Sequence, residues 1–366
     1  MELELKVVCM TTFTAIVLIF SPPPAWAECT TTPLIFNFGD SNSDTGGYAA
    51  AYGTSFSSPN GHTYFNQTSY RKCDGRLIID FLCESVKANY LSPYLNCLNT
   101  SFANGVNFAV AGSQIVSNEQ FFPLNTQVLQ FIRFKILSLI LQSQGAKEVL
   151  GEVDFASALY TIDIGQNDLY AAFTFQYLPV PEVIAIVPNL INQIKTAINS
   201  IYNVGGRNFW VHNTGPLGCL PERLAGVGKM NVRADYDQTG CLIPLNEVAK
   251  EFNTRLRELC EEMRFVLKDS VIVYVDMYTI KYNLISNPAL YGFENPLMPC
   301  CGGGGPPYNA TIGCGEAGYS ICEAGKRYIS WDGIHYTEGA NRVFALQVAS
   351  ANFSTPPTKF DYFCSK

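Results

Sequence analysis

Any chemistry that needs an imidazole has three places to happen, because the 366 residues include only 3 histidines. His62 lies in a polar Asn-Gly-His-Thr run that reads as a surface loop. His212 ends an apolar segment, where a hydrogen-bonded structural histidine is the expected state. His335 differs, because Asp332-Gly333-Ile334-His335 puts a carboxylate three residues before it. A turn of that length lets the acid reach Nδ1 and leaves Nε2 facing outward. Acyl transfer without a metal needs a nucleophile, a base, a group that holds the base, and donors for the developing oxyanion. The Asp-x-x-His pattern alone fits a surface ion pair equally well, so it acquires meaning only beside a nucleophile. Ser41 is a candidate: it follows an apolar run through Gly39-Asp40 and precedes small residues. Its hydroxyl is expected at the N-terminus of the next helix, where free N–H groups and the helix dipole favour negative charge. Simple capping by Ser41 and Asp44 would explain the same residues. No G-x-S-x-G run occurs, so a strained α/β-hydrolase elbow is unsupported.

The elements that must position such groups can be read from the apolar pattern. Five strand-length runs, 34–38, 106–110, 159–164, 209–212 and 271–275, are each bounded by Gly, Asn or Asp. Longer helical patterns lie between them. One covers about 127–141, with Val128, Ile132, Ile136 and Leu139 on one face. Another covers 182–202, interrupted by Pro188, and a third covers 245–267, with Val248, Phe252, Leu256 and Leu259 on a stripe. A last helix is predicted over about 338–349. Strands alternating with helices imply a parallel sheet covered on both faces, with ligands at the carboxyl ends of the strands. The loops at those ends carry Gly39 to Gly47, Ala111-Gly112-Ser113, Gly165-Gln166-Asn167-Asp168 and His212 to Pro216. Small and polar groups therefore collect at one edge.

Composition restricts the partners. A formal charge of −7 with no basic run argues against phosphate-backbone binding and against docking on anionic lipid, so neither nucleic acid nor a stable membrane anchor is expected. Residues 7–20 form a short apolar region followed by Ser-Pro-Pro-Pro and Ala25-Trp26-Ala27, which reads as a signal peptide cleaved after residue 27. That apolar run is shorter than the roughly 20 residues of a spanning helix. Cleavage would discard Cys9 and leave an even number of the 13 cysteines, which suits full pairing in an oxidising compartment. Zinc is the weaker reading, since no C-x-x-C pair exists, and no metal or other cofactor is expected. Cys300 to Pro307 reads as a disulfide-stapled loop. Sequons at Asn66, Asn99, Asn309 and Asn352 agree with a secreted glycoprotein. No repeat or linker breaks residues 28–366, so one domain is predicted there. A phosphate-binding reading fails, since no G-x-G-x-x-G follows a strand.

At this level of detail the chain resembles the GDSL esterases and lipases of the SGNH hydrolase superfamily, in particular its secreted plant branch. FNFGDSNSDTGG around Ser41 looks like the first block, VNFAVAGS like the second, Gly165-Gln166-Asn167-Asp168 like the third and Asp332-Gly333-Ile334-His335 like the last. CDGRLIIDFLCE, WVHNTGPLGCLPE and ISWDGIHYTEGAN look like the subgroup of early-nodulin-type esterases and acetylesterases. Asn42 stands where Leu gives the family its name, and Gly47 where many members have Asn. The resemblance implies a three-layer α/β/α, flavodoxin-like fold with about five parallel strands. It further implies Ser41 as nucleophile, His335 as base and Asp332 as the orienting acid. The oxyanion hole would comprise the Ser41 N–H, the Gly112 N–H and the Asn167 amide.

The expected activity is hydrolysis of carboxylic esters, acetyl or other short acyl, on a small molecule or polysaccharide. The expected protein is a monomer in the extracellular space or apoplast, or in the vacuole. An acyltransferase using the same site with another acceptor is the alternative. A catalytically silent defence or binding glycoprotein is the third reading. The aromatic run Tyr170, Phe173, Phe175 and Tyr177 is expected to form part of an acyl or alcohol pocket; most other aromatics read as core and interlayer packing.

Overall fold

The apolar runs become a sheet of short parallel strands: β1 (Ile35–Gly39), β2 (Gly105–Asn107), β3 (Leu159–Asp163), β4 (Asn208–His212) and β5 (Val271–Val275). The computed structural model describes residues 29–364 apart from 55, 57, 67, 68, 99 and 117–121. The expected leader, Cys9 and the Asn99 sequon lie outside the described residues. The strand order is β2-β1-β3-β4-β5 with every neighbour parallel. Beyond β5 runs an antiparallel edge strand, β8 (Ser354–Thr355), and β6 (Cys301–Gly302) pairs with β7 (Ser320–Ile321) in a separate hairpin. β2 is shorter than the apolar run predicts. The chain beyond Asn107 leaves regular pairing as it enters the Gly112 loop, although Phe108 N still donates to Asn37 O at 2.8 Å.

Among the described residues, ten α-helices fill the connections. They are α1 (Gly47–Tyr52), α2 (Ile78–Ser85), α3 (Leu124–Ser143), α4 (Glu152–Ser157), α5 (Gln166–Thr174), α6 (Val180–Asn203), α7 (Pro221–Ala225), α8 (Ile243–Val266), α9 (Met277–Ser286) and α10 (Glu338–Ala349). Right-handed crossovers place helices on one face when the chain steps to β2 and on the other when it steps back through β3 to β5. Accordingly α3, α6 and α8 pack side by side, while α2 and α9 pack against α10. Alternate residues of β1 show the two faces. Phe36 and Phe38 meet Phe131 of α3 at ring-centroid distances of 5.2 and 5.9 Å, whereas Asn37 lines a small cavity with Ile78, Ile79 and Leu82 of α2. The result is a three-layer α/β/α fold.

Helix registers depart from the sequence reading where tertiary contacts decide. The buried face of α3 is Leu124, Gln127, Val128, Phe131, Lys135 and Ser138, so Ile136, expected inside, is 52% exposed. Phe131 must insert among Phe36, Phe155 and Tyr160, and this turns the helix. Gln127 adds a polar reason: its side chain accepts from Gly39 N and donates to Gly39 O, both at 2.9 Å. Those are the last backbone groups of β1 before the Ser41 turn. Gln127→Leu leaves the buried Gly39 N–H without its partner, while Gly39 O keeps Val110 N at 3.3 Å, and is expected to lower stability by about 1 to 3 kcal/mol in urea unfolding; a loss under about 0.5 kcal/mol would remove this account. Helix α6 is not interrupted at Pro188, which lies inside it. The proline faces solvent, where water can hydrate the carbonyl its missing N–H leaves free.

Full cysteine pairing does not occur. Among the described residues four disulfides form, Cys29–Cys364, Cys219–Cys241, Cys300–Cys322 and Cys301–Cys314, while Cys73, Cys83, Cys97 and Cys260 remain thiols. Cys73, Cys83 and Cys260 are buried and serve as small apolar core residues. An even count is thus compatible with thiols that packing has already accommodated. The stapled loop after Cys300 is present as the sequence predicts, with two disulfides closing it.

Candidate active site

The β1–β3 junction is where the chain's direction across the sheet reverses, the position at which doubly wound sheets open a crevice. Ser41 leaves β1 there and Asn167 leaves β3. Residues 40–43 form a turn closed by Ser43 N donating to Asp40 O at 3.1 Å. Helix α1 begins only at Gly47, so Ser41 is neither a helix cap nor at a helix N-terminus. Turn residues carry the serine instead, because Asp44 draws the chain away. Its carboxylate accepts from Gly46 N, Gly47 N, Tyr48 N and, across the crevice, Ala111 N at 2.7 Å. Burial raises its pKa against those donors. Asp44 thereby ties the first loop to the second, a function its sequence context as a capping residue did not reveal.

The Ser41 hydroxyl donates to His335 Nε2 at 2.8 Å, and His335 Nδ1 donates to Asp332 Oδ2 at 2.7 Å. All three are largely buried, with Ser41 6% and His335 9% exposed. The Asp-x-x-His turn explains the second contact. Asp332 Oδ1 accepts from Ile334 N at 3.0 Å and His335 N at 2.8 Å, which leaves Oδ2 directed at the ring. Burial alone would raise the Asp332 pKa, but the His335 ring and those two N–H groups hold it well below the usual carboxylate range.

Asn167 opens α5 and reaches back: its Nδ2 donates to Ser113 O at 3.0 Å and to Asp40 Oδ2 at 3.2 Å. Gly112 sits between Ala111, bound to Asp44, and Ser113, bound to Asn167, with φ +84. That left-handed conformation favours glycine. Asp168 accepts from Ile115 N and Val116 N at 2.8 and 3.1 Å, pinning the second loop to the third. Desolvation by burial pushes its pKa up to about 7 against those two donors.

Beneath the turn lies a buried polar layer that sequence reasoning did not assemble. Asn37 Nδ2 donates to Ser43 Oγ and to Asn107 Oδ1, and Thr161 Oγ1 donates to Asn37 Oδ1 at 2.7 Å. His212 Nε2 accepts from Trp210 Nε1 at 3.1 Å. Because an indole nitrogen only donates, the His212 proton resides on Nδ1, 3.4 Å from Asp163 Oδ2. His212 is structural, as its strand-end position suggests. His62 is in an exposed loop, its Nδ1 2.8 Å from Pro59 O. The period-two alternation along β1, β3 and β4 was the available signal for this layer.

The aromatic run after Asn167 divides, with the Tyr170 and Phe175 rings 5.7 Å apart and the other two elsewhere. Phe173 is in the core, whereas Phe175 and Tyr177 are 71% and 59% exposed. Tyr170 and Phe173 lie on α5, where a spacing of three leaves them offset around the helix axis, while Phe175 and Tyr177 follow the end of the helix at Thr174. Tyr170 alone is half-buried, under the Arg223 guanidinium at 3.9 Å and with its hydroxyl 3.5 Å from Glu222 Oε1. Glu222 N in turn donates to Gly333 O at 3.1 Å, so the start of α7 flanks the Asp332–His335 turn.

This arrangement can deliver an alkoxide-like oxygen, accept its proton and offer N–H donors nearby. Comparison with known proteins is consistent with that chemistry. The chain is 51% identical over 342 residues to a GDSL esterase/lipase of Arabidopsis thaliana, covering 92% of this chain and 91% of that one. It is 42% identical to an esterase of Hevea brasiliensis, covering 91% and 89%. It is 41% identical to the GDSL esterase/lipase ENOD8 of Medicago truncatula, covering 97% and 96%. Residues 35–348 match the sequence pattern of the GDSL-like lipase/acylhydrolases. With the strand-end loops, the sheet order and these relatives in agreement, the chain belongs to the GDSL esterase/lipase family of SGNH hydrolases.

Proposed function

We propose that the protein is a secreted serine esterase that hydrolyses short-chain carboxylic esters, acetyl esters above all, of small molecules or polysaccharides. The observation that carries this reading is the unbroken chain of hydrogen bonds from Ser41 Oγ through His335 to Asp332. His335 Nε2 takes the Ser41 proton as Oγ attacks the ester carbonyl. The Ser41 N–H, the Gly112 N–H and the Asn167 amide stabilise the oxyanion, and His335 returns the proton to the departing alcohol. Water, deprotonated by the same imidazole, then cleaves the acyl-enzyme and regenerates Ser41. Asp332, ionised throughout the working range, keeps the Nδ1 proton in place and stabilises the imidazolium.

Four disulfides among the described residues fit an oxidising compartment. They support a reading in which residues 1–27 are removed, residues 28–366 form one catalytic domain acting as a monomer, and the product reaches the apoplast. Among the described sequons, Asn66 and Asn352 are exposed and Asn309 is half-buried, so all three present a side chain to a glycosylating enzyme.

Asn167→Ala tests the oxyanion role. Removing one such donor typically costs about 100- to 1000-fold in kcat, and this variant should remain folded because Asn167 is at the crevice rim. A p-nitrophenyl ester series from acetate to palmitate measures it and ranks chain length at the same time. Near-normal kcat in Asn167→Ala would refute the assignment.

A further inference from the structure

Asn167 has no spare amide hydrogen. Both Nδ2 hydrogens are used, one on Ser113 O at 3.0 Å and one on Asp40 Oδ2 at 3.2 Å. An oxyanion can be served only by sharing or displacing the longer of these bonds. The Asp40 carboxylate, 1% exposed, would then lie beside a second negative charge. Like charges repel strongly where water is excluded.

The groups facing that carboxylate define what can compensate it. In its own turn, Asn42 N and Nδ2 donate to Asp40 Oδ1 at 2.9 and 3.0 Å, while Asp44 is saturated by four backbone N–H groups. From β3 comes Asp163, which raises the Asp40 pKa further. From β4 comes His212, neutral and bound to Trp210 and Asp163. The turn before α10 brings His335 to the adjacent Ser41, with Asp332 behind the imidazole and Tyr336 beside Lys281. From α9 comes Lys281, a cation only 2% exposed. Gly215 leaves room for it, since a Cβ there would lie 2.8 Å from Lys281 Cδ. The Lys281 ammonium lies 4.6 Å from the centroid of the Tyr336 ring, the residue that follows His335. It forms an ion pair with neither carboxylate, and its charge lowers the pKa of Asp40 and of Asp163 from beyond ion-pairing distance. Burial disfavours the charged lysine and the two carboxylates oppose that effect; burial and Asp163 together push Asp40 up to about 7.

We propose that Asp40 and Lys281 are positioning residues for ester hydrolysis: the Asp40 carboxylate holds the Asn167 amide in register, and the Lys281 ammonium supplies the countercharge that lets an oxyanion form beside that carboxylate. This rests on the assignment of Ser41 and Asn167 above.

A double-mutant cycle tests it, with kcat and KM for p-nitrophenyl acetate measured across pH in the wild type, Lys281→Met, Asp40→Asn and the double variant. Thermal melts and uptake of a fluorophosphonate at Ser41 accompany each. Lys281→Met is expected to lower kcat about tenfold or more with KM little changed. It should also move the acid limb of kcat/KM up by about one pH unit, because uncompensated carboxylates hold the proton on His335. In the Asp40→Asn background the same change should cost less than about threefold. Additive losses with an unmoved limb would mean a purely structural lysine and overturn the proposal. Asp163→Asn covers the case in which Lys281→Met does not fold. This nearly isosteric change removes a negative charge instead, so the limb must move down; an unmoved limb overturns the proposal there too. A wild-type protein whose Ser41 does not take up the fluorophosphonate overturns the serine-esterase reading itself, and the proposal with it.

Discussion

Ser41→Ala is expected to lower kcat on p-nitrophenyl acetate by about 10⁶-fold, because the loss of one member of a Ser–His–Asp unit removes the covalent route altogether. The residual rate should come from oxyanion donors and binding alone. Fold and stability should change little, within about 1 kcal/mol. Among the described residues the hydroxyl's one hydrogen-bond partner is His335 Nε2, and that nitrogen can be hydrated once the hydroxyl is gone. Two measurements check this together: initial rates over several pH values, and mass spectrometry of the Ser41 peptide after fluorophosphonate treatment. A variant retaining more than about 1% of wild-type kcat would sink the nucleophile assignment, since a water-mediated reaction at the same site cannot approach that fraction.

Asp332→Asn should be the second largest effect, about 10⁴-fold in kcat/KM. Local geometry makes its direction unusually well determined. Asp332 Oδ1 accepts two backbone N–H bonds, from Ile334 and His335, and an amide oxygen at that position keeps both. The amide nitrogen must then occupy the place of Oδ2, 2.7 Å from His335 Nδ1. Two donors would meet there unless the ring moves its proton to Nε2, which is the tautomer unable to accept from Ser41. The turn survives and the base is lost. In the wild type the depressed Asp332 pKa also carries a sign for stability. The folded state binds that proton less tightly than the unfolded chain, so its contribution is complete above about pH 5. It decays as pH falls through about 4 toward the folded value. Activity within about tenfold of wild type, or a variant that is unfolded at pH 7, would contradict this account.

Local features of the chain were legible because they depend on near neighbours. The boundaries of α10, Glu338–Ala349, match those read from the sequence, and Thr337 Oγ1 capping Ala340 N shows why. The five strands and the loops at their ends were legible for the same reason, as was the turn that presents Asp332 to His335. Misreadings came where a distant partner overruled a local preference. Ile136 is on the outside of α3 because Phe131 and Gln127 needed the inside. Ser41 is in a turn because Asp44 is occupied by Ala111 from another loop. Four of the described cysteines stayed reduced because three of them were accommodated by packing and the fourth, Cys97, is on the surface.

By itself, then, the sequence determined which side chains stand at the carboxyl ends of which strands, since strand length, period and loop composition are properties of short stretches. Only the tertiary structure decided that Ser41 and His335, 294 residues apart, share a 2.8 Å hydrogen bond, and that the Asn167 amide is already held by Ser113 and Asp40. It also decided that a buried lysine from α9 lies 4.6 Å from the ring of Tyr336, the residue after His335. Such contacts depend on strand order and on how whole layers settle against each other. Spacing along a chain cannot encode a close packing that arises only when all the layers are in place.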